Sequence, residues 1–388
     1  MSRSALASRP LAARPIAART DVAIVGGGTA AVEVLLALRA RAADDLRVTL
    51  VAPDAHYRYR PLAAYAGLVP DMAQTVALDQ LVVEQGAGMV VDRLASVDPE
   101  RHELTTAEGG RIGYRALVLA TGAVPHAAVA GAVTLGDRGD EPAFARLVER
   151  VRAGRVRRLA VVVPAGVGWS LPAYECALLL AHEAPTSIEI VVITAEPSPL
   201  AAFGDAVGRA IAALLARRGV ELRTGSQPDR FADGIVWMPD EGAFAADAVI
   251  ALAQPRGPFL PGLPHDRRGF LPVDAAGRVL GVADVWAVGD GAAHDVKQGG
   301  LALQQAEVAA ADLVRALAID DPLPLPSRME TLRAAMLDGR GTLYLRAERD
   351  GDDARWRTIT SREPLWWPPA KIAGGHLSDY LAEHEPQP

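Results

Sequence analysis

The chain has 388 residues, half of them hydrophobic, enough for about two or three domains with sizeable cores. A formal net charge of −7 excludes the basic balance of a nucleic-acid-binding surface. The single cysteine, Cys176, excludes an intrachain disulfide, a Cys-x-x-Cys redox pair and a cysteine metal site, and no other metal-ligand pattern stands out. Cys176 reads as a small buried hydrophobe.

Residues 1–19 carry Arg3, Arg9, Arg14 and Arg19, no acid and no continuous apolar run. They are expected to form a disordered tail rather than a secretory signal. Val22 to Val25 reads as a buried strand, Ala30 to Ala43 as a helix, and Arg47 to Ala52 as a second strand. Such a unit has the size of a mononucleotide-binding half. Residues 57–83 read as an excursion, Met89 to Asp92 as a strand, and Val97 to Leu104 with Arg111 to Tyr114 as a hairpin. Ala116 to Ala120 is a strand closed by Thr121-Gly122.

A second unit starts near Arg157. Leu159 to Val163 is a strand, Pro172 to His182 a helix, and Ser187 to Ile193 a strand. Ala206 to Arg217 is an amphipathic helix with Gly219 at its C-terminal cap, followed by the strand Val220 to Arg223. The apolar stretch from Leu159 to Ala181 contains Pro164, Gly166, Gly168, Pro172 and Glu175, which argues against a membrane span. Asp247 to Ala251 reads as the strand leaving this unit. Val285 to Val288 ends in Gly289-Asp290, and Gly300 to Leu317 is a long helix. Pro322, Pro324 and Pro326 mark a linker.

Alternating strands and helices predict an α/β protein with parallel sheets. The expected organisation is two Rossmann-like dinucleotide-binding domains, the second inserted in the first. The first takes 20–130 and 248–320, and the second takes 131–247. A C-terminal segment, 321–388, covers the cofactor or docks elsewhere.

The strongest motif is Gly26-Gly27-Gly28-Thr29-Ala30-Ala31, which fits G-x-G-x-x-G/A between a strand and a helix. Gly26 permits the tight turn, Gly28 lets backbone approach a pyrophosphate, and Ala31 keeps helix against strand. The phosphates sit at the helix N-terminus. The acid that normally ends the second strand is missing, and Asp54 is the nearest substitute. Ala120-Thr121-Gly122 and Gly289-Asp290 also follow strands. Asp290 is either a ligand to a ribityl chain or a plain acid near a helix.

In this order, these three motifs resemble two-dinucleotide-fold flavoproteins of the pyridine nucleotide-disulfide oxidoreductase type, such as sulfide:quinone reductases and type II NADH dehydrogenases. The resemblance runs from Asp21 to Leu317 and implies FAD. It implies that Asp290 binds the ribityl chain and that Lys297, Gln298 and Gly299 lie at the flavin pyrimidine edge. Lys297 and the helix N-terminus would there face the negative charge of reduced flavin. It also implies that Arg60 and Pro61 pass beside the isoalloxazine ring.

The chain departs from such relatives in two ways. It lacks the cysteine pair of sulfide oxidisers, with Ser170 where a cysteine would stand. Pro164 begins the second turn, and bulky Trp169 follows Gly166-Val-Gly168, so NAD(P)H binding is left in doubt. Glu175 reads either as a proton relay, making it catalytic beside Lys297, or as a helix-face salt link. Trp366-Trp367-Pro-Pro-Ala-Lys371 reads as a flap or docked tail in preference to a membrane anchor.

The resulting expectation is an FAD-dependent oxidoreductase with a small-molecule electron donor and acceptor, a quinone being the leading candidate for the acceptor. It is placed in the cytoplasm or at the inner face of the membrane, with a homodimer left open. The alternatives are an NAD(P)H:acceptor reductase and a non-catalytic flavin-binding redox sensor.

Overall fold

The computed structural model describes residues 19–58, 68, 75–185, 187–239, 242–327, 329–349 and 356–384. Val22–Val25, with no polar side chain, is buried throughout and forms the centre of a five-stranded parallel sheet. Across this sheet the strands run Val285–Ala287, Ala116–Leu119, Val22–Val25, Val48–Ala52 and Gly88–Val91. The chain first builds outward on one side of Val22–Val25 and then crosses to the other. The crossing leaves a crevice at the carboxyl ends of the strands, where open α/β sheets take ligands.

Helix Thr29–Ala42 is apolar on nearly every side and is buried along most of its length. It packs against the long helix Gly299–Ala316 and the last helix, Gly375–Glu383. Glu33 is fully buried within it, and its two carboxylate oxygens accept from the backbone N–H groups of His376 and Leu377 at 2.8 Å each. A helix of the first fold thereby caps the last helix of the chain.

The second sheet is also five-stranded and parallel, in the order Val133–Leu135, Ala248–Leu252, Arg158–Val163, Glu189–Thr194, Val220–Thr224. The boundary expected at residue 248 is therefore corrected. Ala248–Leu252 belongs to the second sheet, paired on both sides within it. An apolar strand run shows that it is buried, not which sheet buries it. The hairpin expected at 97–114 is a three-stranded antiparallel sheet of Leu94–Asp98, Glu103–Thr106 and Arg111–Gly113.

The C-terminal segment is more than a tail. Glu330–Leu337, Thr342–Arg349 and Arg357–Ser361 form an antiparallel sheet. Leu332, Ala334, Met336, Leu345 and Ala347 join the core of the second fold. Asp338, fully buried, fixes this sheet by accepting from Arg218 at 3.0 Å and from Arg362 at 2.7 Å. Among the described residues, no helix is long and apolar enough to cross a membrane. Cys176 is buried, and burial pushes its thiol pKa well above the ordinary value.

Burial raises the Asp338 pKa, but the hydrogen bonds from Arg362, the Arg340 N–H and Arg218 outweigh it and hold the carboxyl below its usual range. Asp338→Ala leaves Arg218 buried without its carboxylate and is expected to cost about 3 kcal/mol, measured by urea unfolding. The carboxylate's contribution is present above the unfolded pKa of about 3.9 and is lost as pH falls through the lower folded value. The gap between wild type and variant should therefore close in acid.

Candidate active site

The first strand ends in a turn that only glycine can make. Gly26 has φ +134°, and a Cβ there would lie 2.1 Å from the Ala120 carbonyl oxygen. Its N–H donates to the Val51 carbonyl at 2.8 Å, so three strand ends meet at this residue. A Cβ on Gly27 would lie 3.1 Å from both the Ala52 and Leu78 side chains. Gly28 differs, because among the described residues a Cβ there would meet nothing within 4 Å. Gly28 is the N-cap of helix Thr29–Ala42, with no side-chain cap and no acid in the first turn. The amides of Thr29, Ala30 and Ala31 and the positive end of the helix dipole thus face open space, the arrangement that suits a phosphate. The Thr29 hydroxyl lies 3.1 Å from that of Tyr57, which is buried and opens the excursion.

Two further segments converge on this mouth. A Cβ on Gly289 would lie 3.0 Å from the Ala30 Cβ. A Cβ on Gly291 would lie 3.0 Å from the Gly122 carbonyl oxygen and 3.2 Å from the Thr121 Oγ1. The Thr121 hydroxyl is buried without a hydrogen-bond partner. Such a group costs free energy unless a ligand satisfies it. Asp290 lies between the two glycines in a single 3-10 turn, partly exposed. The structure thus brings together Gly26, Gly28, Thr29, Ala30, Ala31, Ala120, Thr121, Gly122, Gly289 and Asp290. Arg60 and Pro61 lie outside the described residues. Asp54 is exposed at the end of the second strand and accepts from the His56 N–H at 3.0 Å.

Lys297 is drawn into the protein. Its ammonium donates to the Ala292 carbonyl and lies 3.9 Å from the centroid of the Phe270 ring. Burial pushes its pKa down to about 8, Asp290 opposes this and Arg268 adds to it. Gln298 is buried and acts as a helix cap. Its Oε1 accepts from the Leu301 N–H at 2.8 Å, and its Nε2 donates to the Arg333 carbonyl at 3.0 Å. Gly299 packs against Ile372, whose Cδ1 would be 2.6 Å from a Cβ there. Glu175 has the geometry of the salt-link alternative. It is fully buried, accepts from the Leu337 N–H at 2.7 Å and pairs with Lys371, the residue before Ile372.

The turn of the second fold is occupied by the chain itself. The Ala165 N–H donates to Gln227 at 2.9 Å, and its carbonyl accepts from Gln254 at 2.7 Å. The Gly166 carbonyl accepts from Arg268 at 2.8 Å, and the Gly168 carbonyl from the Lys297 N–H at 3.2 Å. A Cβ on Gly168 would lie 2.7 Å from the Lys297 Cγ. Trp169 turns inward, 5.7 Å from the Phe203 ring. Glu196, just past the strand Glu189–Thr194, accepts from the Ser170 hydroxyl at 2.9 Å and from the Tyr174 hydroxyl at 2.6 Å. Arg268, Phe270 and Glu196 were not legible as site residues, because their partners lie far away in sequence.

Two substitutions separate turn geometry from ligand contact. Gly26→Ala is expected to unfold or misfold the first domain, because its Cβ collides with backbone. Gly28→Ala meets no atom of the described residues, so its thermal unfolding should match wild type. A bound pyrophosphate needs close backbone approach, so Gly28→Ala should retain several-fold less flavin, read from visible absorbance.

Residues 20–312 match the family described as pyridine nucleotide-disulphide oxidoreductase. The chain is 25% identical over 103 residues to the mitochondrial sulfide:quinone oxidoreductase of Mus musculus, a match spanning 26% of this chain and 23% of that protein. It is 28% identical over 293 residues to an NADH dehydrogenase-like protein of Mycobacterium tuberculosis, covering 71% of this chain and 73% of that one. Among solved structures, the sulfide:quinone oxidoreductase of Aquifex aeolicus shares the fold with TM-score 0.78 at 19% identity, over 88% of this chain and 87% of that one. A ferredoxin reductase of Rhodopseudomonas palustris shares it with TM-score 0.66 at 20% identity, over 86% and 84%. The match over residues 20–312, on a fold of two parallel-sheet units, places this chain in the pyridine nucleotide-disulphide oxidoreductase family, a family of oxidoreductases.

Proposed function

We propose that the chain is an FAD-dependent oxidoreductase that takes two electrons from a small-molecule donor other than NAD(P)H and passes them to a separate acceptor, with a quinone the leading candidate. The observation that carries this reading is the convergence of the open Gly28 mouth, the unsatisfied Thr121 hydroxyl and the Gly289–Gly291 turn at the strand-order switch. FAD, when bound, supplies the two-electron chemistry. The amides of Thr29, Ala30 and Ala31 would hold its pyrophosphate, and Asp290 and Thr121 would take hydroxyl or carbonyl groups of its flavin half. Lys297 keeps its charge at neutral pH and contributes positive potential beside Asp290. Glu175 seats the C-terminal segment against the site through Lys371, with Ile372 then covering Gly299.

Two features weigh against a pyridine nucleotide donor. The second turn spends its polar groups on Gln227, Gln254, Arg268 and Lys297, and Glu196 is held by Ser170 and Tyr174 rather than presented to a ribose. A quinone acceptor fits the exposure of Trp367, which is 86% accessible and suited to an interfacial contact.

The test is anaerobic visible spectroscopy. NADH and NADPH should leave the flavin bands unchanged, and protein reduced chemically should regain them with a soluble short-chain quinone over many turnovers. Rapid bleaching by NADH would replace this reading with an NADH:acceptor reductase. No turnover with any donor–acceptor pair would replace it with a flavin-binding redox sensor.

Lys297 gives a pH signature. With a pKa of about 8, its charge is present below that pH and lost above it. Lys297→Met should lower the flavin midpoint potential by about 30 mV, about 1.4 kcal/mol for a two-electron couple, near neutral pH. The difference from wild type should vanish once pH rises past about 9, where wild type is neutral too.

A further inference from the structure

The C-terminal sheet sets two arginines directly opposite one another. Arg333 and Arg346 are direct cross-strand partners in the antiparallel pair Glu330–Leu337 and Thr342–Arg349. Directly opposed like charges destabilise a sheet. Alternation puts both on the face opposite the buried Leu332, Ala334 and Leu345, together with Tyr344. Arg346 pairs with Glu348 at 3.2 Å. Arg333 has no carboxylate within ion-pair distance among the described residues. Its Nη1 donates to the Ala373 carbonyl at 3.3 Å, and its Nε is buried without a partner. Two cations therefore share one carboxylate.

The surroundings are aromatic side chains and backbone. Trp366 packs edge-on against Tyr344, centroids 5.2 Å apart, and its Nε1 donates to the Ala370 carbonyl at 3.0 Å. The segment 366–373 thus lies along this face as an aromatic and backbone wall. Gly374, with φ +98°, leaves room that a Cβ would take 3.2 Å from the Arg333 Nη1. The Arg346 side chain is 37% exposed, so the face is reachable from solvent.

We propose that Arg333 and Arg346, walled by Tyr344 and Trp366, form a subsite for a small carboxylate anion. A guanidinium fork matches a carboxylate in a bidentate way, and one negative charge completes the balance with Glu348. The aromatic wall favours a carboxylate on an apolar or aromatic body. The subsite backs onto the proposed redox site, because the Arg333 carbonyl holds Gln298, the cap of the helix that starts at Gly299. Its use as the seat of the electron donor rests on the proposed function, while the binding itself does not.

The experiment follows thermal unfolding of the full-length protein as purified in sodium benzoate, sodium phosphate and sodium chloride at matched ionic strength. Benzoate should raise Tm saturably in wild type, and phosphate should match chloride. Arg333→Met should lose the benzoate shift while its Tm in chloride equals or exceeds that of wild type. Arg346→Gln, which keeps the Ala373 contact, should weaken benzoate about tenfold and serves as the reporter if Arg333→Met does not fold. An unchanged benzoate shift in Arg333→Met, or in Arg346→Gln where that is the reporter, would overturn the subsite. A shift by phosphate alone, or no benzoate shift in wild type, would overturn it as well. Flavin occupancy, read from the visible spectrum of the same samples, tests the redox reading separately.

Discussion

A carbonyl oxygen stands where a side chain would be. The Ala120 oxygen comes so close to Gly26 that a Cβ could not exist there, and this contact sets how the ends of the strands Val22–Val25 and Ala116–Leu119 meet. Gly289 against the Ala30 Cβ and Gly291 against the Gly122 carbonyl are close approaches of a milder kind, at 3.0 Å. Three segments far apart in sequence are thereby drawn together until only backbone and small groups separate them. What remains is a mouth of amides over a helix dipole, with one hydroxyl and one carboxylate beside it. Such a mouth holds a ligand by preorganised dipoles rather than by flexible charged side chains.

The two folds use one design differently. In the first, the helix begins uncapped at Gly28, and no described residue would meet a Cβ there. In the second, one N–H and three carbonyls of the equivalent turn are used within the chain: those of Ala165 by Gln227 and Gln254, the Gly166 carbonyl by Arg268, and the Gly168 carbonyl by Lys297. Glu196 closes the set with the hydroxyls of Ser170 and Tyr174. The second fold also supports the C-terminal segment. It carries the helix on which Glu175 anchors the C-terminal sheet and Lys371, and so fixes Ile372 over Gly299.

The glycine turn was readable because its backbone constraints restrict residue type, and its place between a strand and a helix is visible in hydrophobic pattern alone. The fate of Cys176 was readable for a similar reason, since an apolar helix face leaves a thiol no solvent. The sheet membership of Ala248–Leu252 was not readable, because an apolar run encodes burial and not its neighbour. The C-terminal sheet was hidden by its composition: buried Ala335 and Tyr344 on the face opposite Leu332, Ala334 and Leu345 obscure a period of two. Glu175 stood between two readings that differ only in Lys371, almost two hundred positions away. Arg333 carried no local mark, because its meaning comes from Arg346 across the ladder.

The central claim is that the Gly28 mouth holds a pyrophosphate. The most direct measurement is calorimetric titration of flavin-free protein with FAD and, separately, with FMN, which lacks the pyrophosphate and adenosine. The account predicts one FAD per chain, bound at least a hundredfold more tightly than FMN. Equal affinity for the two flavins, or no FAD binding by folded protein, would contradict it.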